Sequence, residues 1–125
     1  MNNKDFGNSG ENIAFLFLQG KGYAIIERNY RAWRKEIDII AKKDGYIVFA
    51  EVKTRRSAKF GTPSQSVGKE KQKHIITAAK KFLLESGARY SALQPRFDVI
   101  EIYSDKKNDK NYVRHIEGAF ITNNN

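Results

Sequence analysis

From Glu36 to Lys53 the chain reads Glu-Ile-Asp-Ile-Ile-Ala-Lys-Lys-Asp-Gly-Tyr-Ile-Val-Phe-Ala-Glu-Val-Lys. Two apolar, β-branched runs, Ile37 to Ala41 and Tyr46 to Val52, flank Asp44-Gly45, a dipeptide suited to a two-residue hairpin turn because both central residues tolerate positive φ. A two-residue turn fixes register. If Lys43 pairs with Tyr46, Asp38 falls opposite Glu51 and Glu36 opposite Lys53. Alternation then sends Ile37, Ile39, Val48, Ala50 and Val52 to the other face, where a packed layer can bury them.

The charged face is the unusual one. Carboxylates directly opposite each other repel unless a cation bridges them. Their hard oxygens suit Mg²⁺ or Mn²⁺, which take one or two carboxylates and keep waters for substrate phosphates. Lys53, two residues past Glu51, projects to the same side, where an ammonium can hold a phosphate or steady the charge that builds when water attacks it. The same spacing also fits an amphipathic hairpin whose outer face is solvated.

Charge points to a polyanionic partner. Lys and Arg number 23 against 14 acids, a net +9, which favours nucleic acid or, less specifically, an anionic membrane surface. The absence of cysteine excludes disulfides, thiolate metal sites and cysteine nucleophiles. There is no leader-like N-terminus and no apolar run near the roughly 18 residues of a membrane span, so a cytoplasmic location is expected. The length of 125 residues suits a single domain, 1–125, with disordered ends near 1–6 and 122–125.

Asn8-Ser9-Gly10-Glu11 before the apolar run Ile13 to Leu18 predicts a helix start, with Asn8 as N-cap and Glu11 completing a capping box. Gly20 or Gly22 stops that helix, and Tyr23 to Ala32 follows as a polar edge strand. Beyond the hairpin, Thr54, Arg55, Arg56, Ser57 and Lys59 form a basic loop. Ile75, Ile76, Ala79, Phe82 and Leu83 recur at helical spacing between Val67 and Ser86, and Gln72 extends their stripe by one turn. Lys69, Lys73, Lys80 and Lys81 then line its sides. Arg96 to Tyr103 alternates as a strand with Phe97, Val99 and Ile102 in the core, and Tyr112 to Ile116 suits a last edge strand. No Walker or Rossmann phosphate loop, serine triad or histidine metal pair is present.

Asp38 followed by Glu51-Val52-Lys53 on a central hairpin, in the order α-β-β-β-α-β, resembles the nuclease fold of restriction endonucleases and archaeal Holliday junction resolvases. More closely, the chain is similar to the bacterial YraN-like family, small proteins classed among the endonucleases. The resemblance is carried by Gly7-x-x-Gly10-Glu11-x-x-Ala14, Arg28-Asn29-Tyr30-Arg31, Glu36-Ile37-Asp38-Ile39-Ile40, Val48 to Arg55, Phe60-Gly61, Lys71-Gln72 and Arg96-Phe97-Asp98-Val99. Lys35 stands where the family usually has Gly, and Ala50 where Val is common. The former sets a bulky charge beside the hairpin's active end.

The resemblance implies an α/β domain with a restriction-endonuclease-like core, a mixed sheet flanked by helices. It implies a metal held by Asp38, Glu51 and the Val52 carbonyl, Lys53 assisting water or phosphate, Glu11 reaching the site from the first helix, and Gln72 orienting the scissile phosphate. The expected activity is Mg²⁺- or Mn²⁺-dependent cleavage of DNA, branched or flapped DNA included. Arg55, Arg56, Lys69 and Lys73 are the expected phosphate contacts, and a homodimer is expected by analogy with the resolvases. The rival expectation is a nucleic-acid-binding protein that keeps the fold without cleavage, and a third is an interaction protein whose basic charge is incidental.

Overall fold

The computed structural model describes residues 3–55, 67–105 and 107–122. The elements follow in the order α1 (Asn3–Gly20), β1 (Ala24–Ala32), β2 (Lys35–Lys43), β3 (Tyr46–Arg55), α2 (Lys69–Glu85), β4 (Gln94–Asp105) and β5 (Lys110–Phe120). The five strands form one mixed sheet in sequence order, antiparallel throughout except for the parallel pair β3 and β4, which α2 connects. This is the expected α/β sheet with flanking helices, consistent with a restriction-endonuclease-like core. The last strand is longer than the expected 112–116.

Each helix covers one face of the sheet, so the central hairpin is buried on both sides. Beneath α2, the helical stripe Ile75, Ala78, Ala79 and Phe82 meets Ile37, Ile40, Ile47, Phe49, Phe97 and Val99. Beneath α1, Ala14 and Leu18 meet Ile39, Ala41, Val48, Ala50, Ile100 and Ile102. An amphipathic hairpin with one solvated face is therefore excluded.

The start of the first helix differs from the local reading, and its stop agrees with it. α1 begins at Asn3, so residues 3–6 of the expected frayed end are helical. Asn8 lies inside the helix and is therefore not its N-cap. Glu11, a mid-helix residue, is released from the capping box and its carboxyl is directed to the sheet. At the other end Gly22, at φ +92, makes the stop. The Tyr23 N–H bonds Leu18 O and the Gly22 N–H bonds Gln19 O, both at 3.0 Å, the paired closure that an αL glycine permits.

Candidate metal centre

The β2–β3 ladder starts at Lys43↔Tyr46, across a turn where Asp44 and Gly45 both take positive φ, and keeps the expected register as far as Ile39↔Ala50. Asp38 does not continue it as a backbone pair. Its side chain substitutes, with Oδ2 accepting the Val52 N–H at 2.7 Å. On the other flank β1 pairs Arg28↔Ile39 and Tyr30↔Ile37, and Asn29 between them sits at φ 52. Here alternation breaks. Ile37 packs under α2 while Ile39 packs under α1, which corrects the expectation that both share a face. The register is unchanged across Asn29, so the left-handed backbone there, not an inserted residue, accompanies the change of face.

Glu11 from α1 and Glu36 and Asp38 from β2 converge there. One carboxylate oxygen from each lies within 4.8 Å of the others. α1 comes close because Gly10 has no side chain, and a Cβ at that position would overlap the Thr54 methyl. The Asn29 carboxamide, with its amino group turned to the acids, donates to Glu11 Oε1 at 3.0 Å and Glu36 Oε1 at 3.1 Å. Glu36 does not pair with Lys53 as the register argument expects. It lies 3.5 Å from Arg31, because the break at Asp38 turns it away.

Glu51 is 6% exposed. Its Oε1 lies 3.7 Å from Lys53 Nζ and 3.9 Å from Lys71 Nζ. Its Oε2 is buried and has no hydrogen-bond partner. Burial and the Asp38 charge push the Glu51 carboxyl up to about 7, against the pull of Lys71 and Lys53. Burial, the Asp38 charge, a hydrogen bond to Asp38 and the Glu36 charge push Glu11 up to about 7, opposed by Arg28. Asp38 is also raised, by burial first and Glu36 next, although the Val52 N–H, Glu11 and Lys71 pull it down. Four carboxyl groups thus share a site whose own cations do not neutralise them.

The other expected site residues have partners of their own or lie exposed. Gln72 Nε2 donates to Val67 O at 3.0 Å, holding the entry to α2. Arg55 lies 3.6 Å from the buried Glu101. Lys69 and Lys73 are exposed on α2, and Arg56 lies outside the described residues. Glu36, Asn29 and Lys71 were given no role by sequence reasoning. Glu36 was visible as one of the hairpin's four aligned charges, and Asn29 and Lys71 stand within the blocks of the family resemblance.

A second buried acid offers a contrast. Asp98 on β4 is fully buried and receives Arg96 Nε and a terminal Arg96 nitrogen at 2.9 and 2.8 Å, His115 Nε2 at 2.7 Å and the Gly118 N–H at 3.0 Å. Burial would raise its carboxyl, but the hydrogen bonds from His115, Arg96 and Gly118 and the Arg96 charge outweigh it and hold Asp98 below its ordinary value.

A model described as Uncharacterised protein family UPF0102 matches residues 10–102, a span that holds all the acids described above. The chain is similar to a UPF0102 protein of Caldicellulosiruptor saccharolyticus, at 45% identity over 120 residues, 96% of this chain and 100% of the relative. It is similar to one of Clostridioides difficile at 43% identity over 120 residues, with 96% and 100% covered. A third, of Caldanaerobacter subterraneus, is 43% identical over 121 residues, with 96% and 98% covered.

Proposed function

The chain belongs to the UPF0102 family, and from that footing we propose that it is a Mg²⁺- or Mn²⁺-dependent nuclease that hydrolyses phosphodiester bonds in DNA. The observation that carries this reading is the meeting of Glu11, Glu36, Asp38 and Glu51 beside Lys53 and Lys71, with Glu51 Oε2 buried and without a partner. A buried polar atom left without a partner costs stability, and like charges this close raise one another's pKa. A hard divalent cation relieves both, which is the sense in which these residues fit one. Asp38, Glu51 and, beside them, Glu11 and Glu36 would hold it.

When bound, such a cation acidifies a water and polarises a phosphoryl oxygen. The remaining parts belong to the chain. The Val52 N–H fixes the Asp38 carboxylate, and Asn29 fixes Glu11 and Glu36. Lys53 sits where an ammonium can offset charge growing on a phosphate. Glu11, its carboxyl raised to about 7 by burial and the neighbouring acids where no cation offsets them, joins these acids from α1. The net charge of +9 and the exposed Lys69 and Lys73 supply phosphate contacts. Among the described residues no helix is long and apolar enough to cross a membrane, and a DNA substrate would place the protein in the cytoplasm.

Two substitutions test the proposal because they fail in different ways. Asp38→Asn removes a charged ligand, so divalent-metal affinity and cleavage both fall, while DNA affinity in chelator holds or improves. Lys53→Met keeps every carboxylate, so metal affinity survives and single-turnover cleavage falls about 10²- to 10³-fold. Its DNA affinity changes by about one phosphate contact, a shift of roughly 0.7 to 0.9 in the log-log salt slope. If both variants cleave like the parent, the acid cluster is not the active site. If the parent binds DNA and cleaves no substrate, the protein is a binding module.

A further inference from the structure

The turn between β1 and β2 consists of Trp33 and Arg34, since the ladder closes at Ala32↔Lys35. Trp33 is 69% exposed and sits at φ 60. Glycine is the residue that such a turn position favours, and a bulky side chain there is strained. Strain of this kind collects at ligand-gripping positions. Lys35 Nζ and Lys81 Nζ lie over the indole, 6.0 Å and 5.4 Å from the ring centroid, and Lys81 is also ion-paired with Glu85. Thr77, Lys80, Lys81, Leu84 and Glu85 of α2 complete a shallow cleft beside it, and Leu84 is 83% exposed. An aromatic face and an aliphatic surface within a rim of lysines form the combination that takes a nucleobase by stacking and its phosphates by charge.

The turn also stands next to the acid cluster. Arg31 pairs with Glu36 across the ladder, and Glu36 is one of the clustered acids. Trp33 and Arg34 form the turn and Lys35 opens β2, so Trp33 lies only three positions along the chain from Glu36. Bases in a duplex are stacked on each other and offer no free face, so this surface selects an unpaired strand. A second copy of the chain is the other candidate occupant, and it is disfavoured because it would bring one +9 chain against another through two apolar residues rimmed with lysines.

We infer that Trp33 is a stacking platform for an unpaired base of the strand being cleaved, which makes single-stranded or branched DNA the substrate class. This deepens the nuclease reading and rests on it. The sequence contains one tryptophan, so its fluorescence reports the platform directly. The wild-type protein is titrated in chelator with a single-stranded oligonucleotide and with a blunt duplex of the same sequence, alongside Trp33→Ala and Trp33→Tyr. Single strands should quench the fluorescence strongly and the duplex weakly. Trp33→Ala, followed by anisotropy of labelled DNA, should lose single-strand affinity by about 5- to 100-fold, the range for one base–aromatic stack, and keep its duplex affinity. Trp33→Tyr should retain most of it. Circular dichroism of both variants should match the parent, as the indole is exposed.

Cleavage of duplex DNA in Mg²⁺ with no quenching by single strands would overturn this inference and leave the nuclease reading standing. Absence of both cleavage and DNA binding would overturn both. A concentration-dependent dimer that blue-shifts the tryptophan emission and is abolished by Trp33→Ala would assign the platform to a second copy and overturn the inference.

Discussion

Asp98 and Glu51 are both buried acids, on adjacent strands, yet one has four hydrogen bonds and the other has an oxygen with none. Arg96, His115 and Gly118 draw the Asp98 carboxyl below its ordinary value, whereas burial and the Asp38 charge raise that of Glu51. The chain therefore compensates Asp98 fully and Glu51 only in part, through Lys53 and Lys71 on one of its oxygens. The contrast separates a carboxylate that locks β4 to β5 from a group of carboxylates that, on the proposed reading, would take a cation from outside.

Removing an acid from each site should break the comparison most visibly. Asp98→Ala leaves the Arg96 guanidinium and the Gly118 N–H without their acceptor, and urea denaturation should show a loss of about 3 to 5 kcal/mol. Asp38→Asn in metal-free buffer should go the other way, unchanged or about 1 kcal/mol more stable. It removes a repelling charge, and its amide oxygen still accepts the Val52 N–H.

The pH profile sharpens the contrast, because the two sites act in separate windows. Glu51 and Glu11 titrate near 4.3 when unfolded and near 7 when folded. Between those values the folded state holds more protons, so metal-free stability falls as pH rises, by about 2 to 3 kcal/mol between pH 5 and 8 once solvent screening of the half-exposed Glu11 is allowed for. Asp98 has the opposite sign. Its stabilisation is present above the ordinary carboxylate range and is lost as pH falls through its depressed value. Thermal melts across pH should thus show a maximum on the mildly acid side. Mg²⁺ should raise the melting temperature at pH 8 and barely at pH 5, where protons compete for the same oxygens. An equal rise at both would mean that the acids are not the ligands.

The smallest effect concerns how α1 brings Glu11 in. Gly10→Ala gains about 1 kcal/mol of helix propensity and loses about 1 to 3 kcal/mol by pressing on the Thr54 methyl, a net loss of about 1 kcal/mol. Adding Thr54→Ser, which removes that methyl, should restore both stability and cleavage, a coupling that a double-mutant cycle reads directly.

The hairpin was legible because its determinants are local. Asp44-Gly45 dictates the turn, the turn dictates the register, and β2 and β3 follow it from Lys43↔Tyr46 to Ile39↔Ala50. The helical stripe of α2 and the alternation of β4 were legible for the same reason. What was not legible depends on residues distant in sequence. No local pattern announces that Asn29 takes φ 52 opposite Asp38, that Ile37 packs in the other core or that Glu36 joins the acids. Nor does a basic loop reveal that Arg55 lies against a buried Glu101. The Asn8 capping box failed instructively. It was locally sufficient, but α1 starts at Asn3 and Glu11 has a tertiary use for its carboxyl.

The parallel pairing of β3 with β4 also has a kinetic side. The β2–β3 hairpin can close within about 1 to 10 μs, whereas pairing β4 with β3 must close the whole stretch 56–93, α2 included, which is slow. Glu11 and Lys71 arrive on still other segments. If α1 docks on a sheet already formed, the acids are gathered late and their repulsion lies on the native side of the folding barrier. A divalent ion bound to the assembled cluster should then leave the refolding rate nearly unchanged and slow unfolding, lengthening the lifetime of the native molecule.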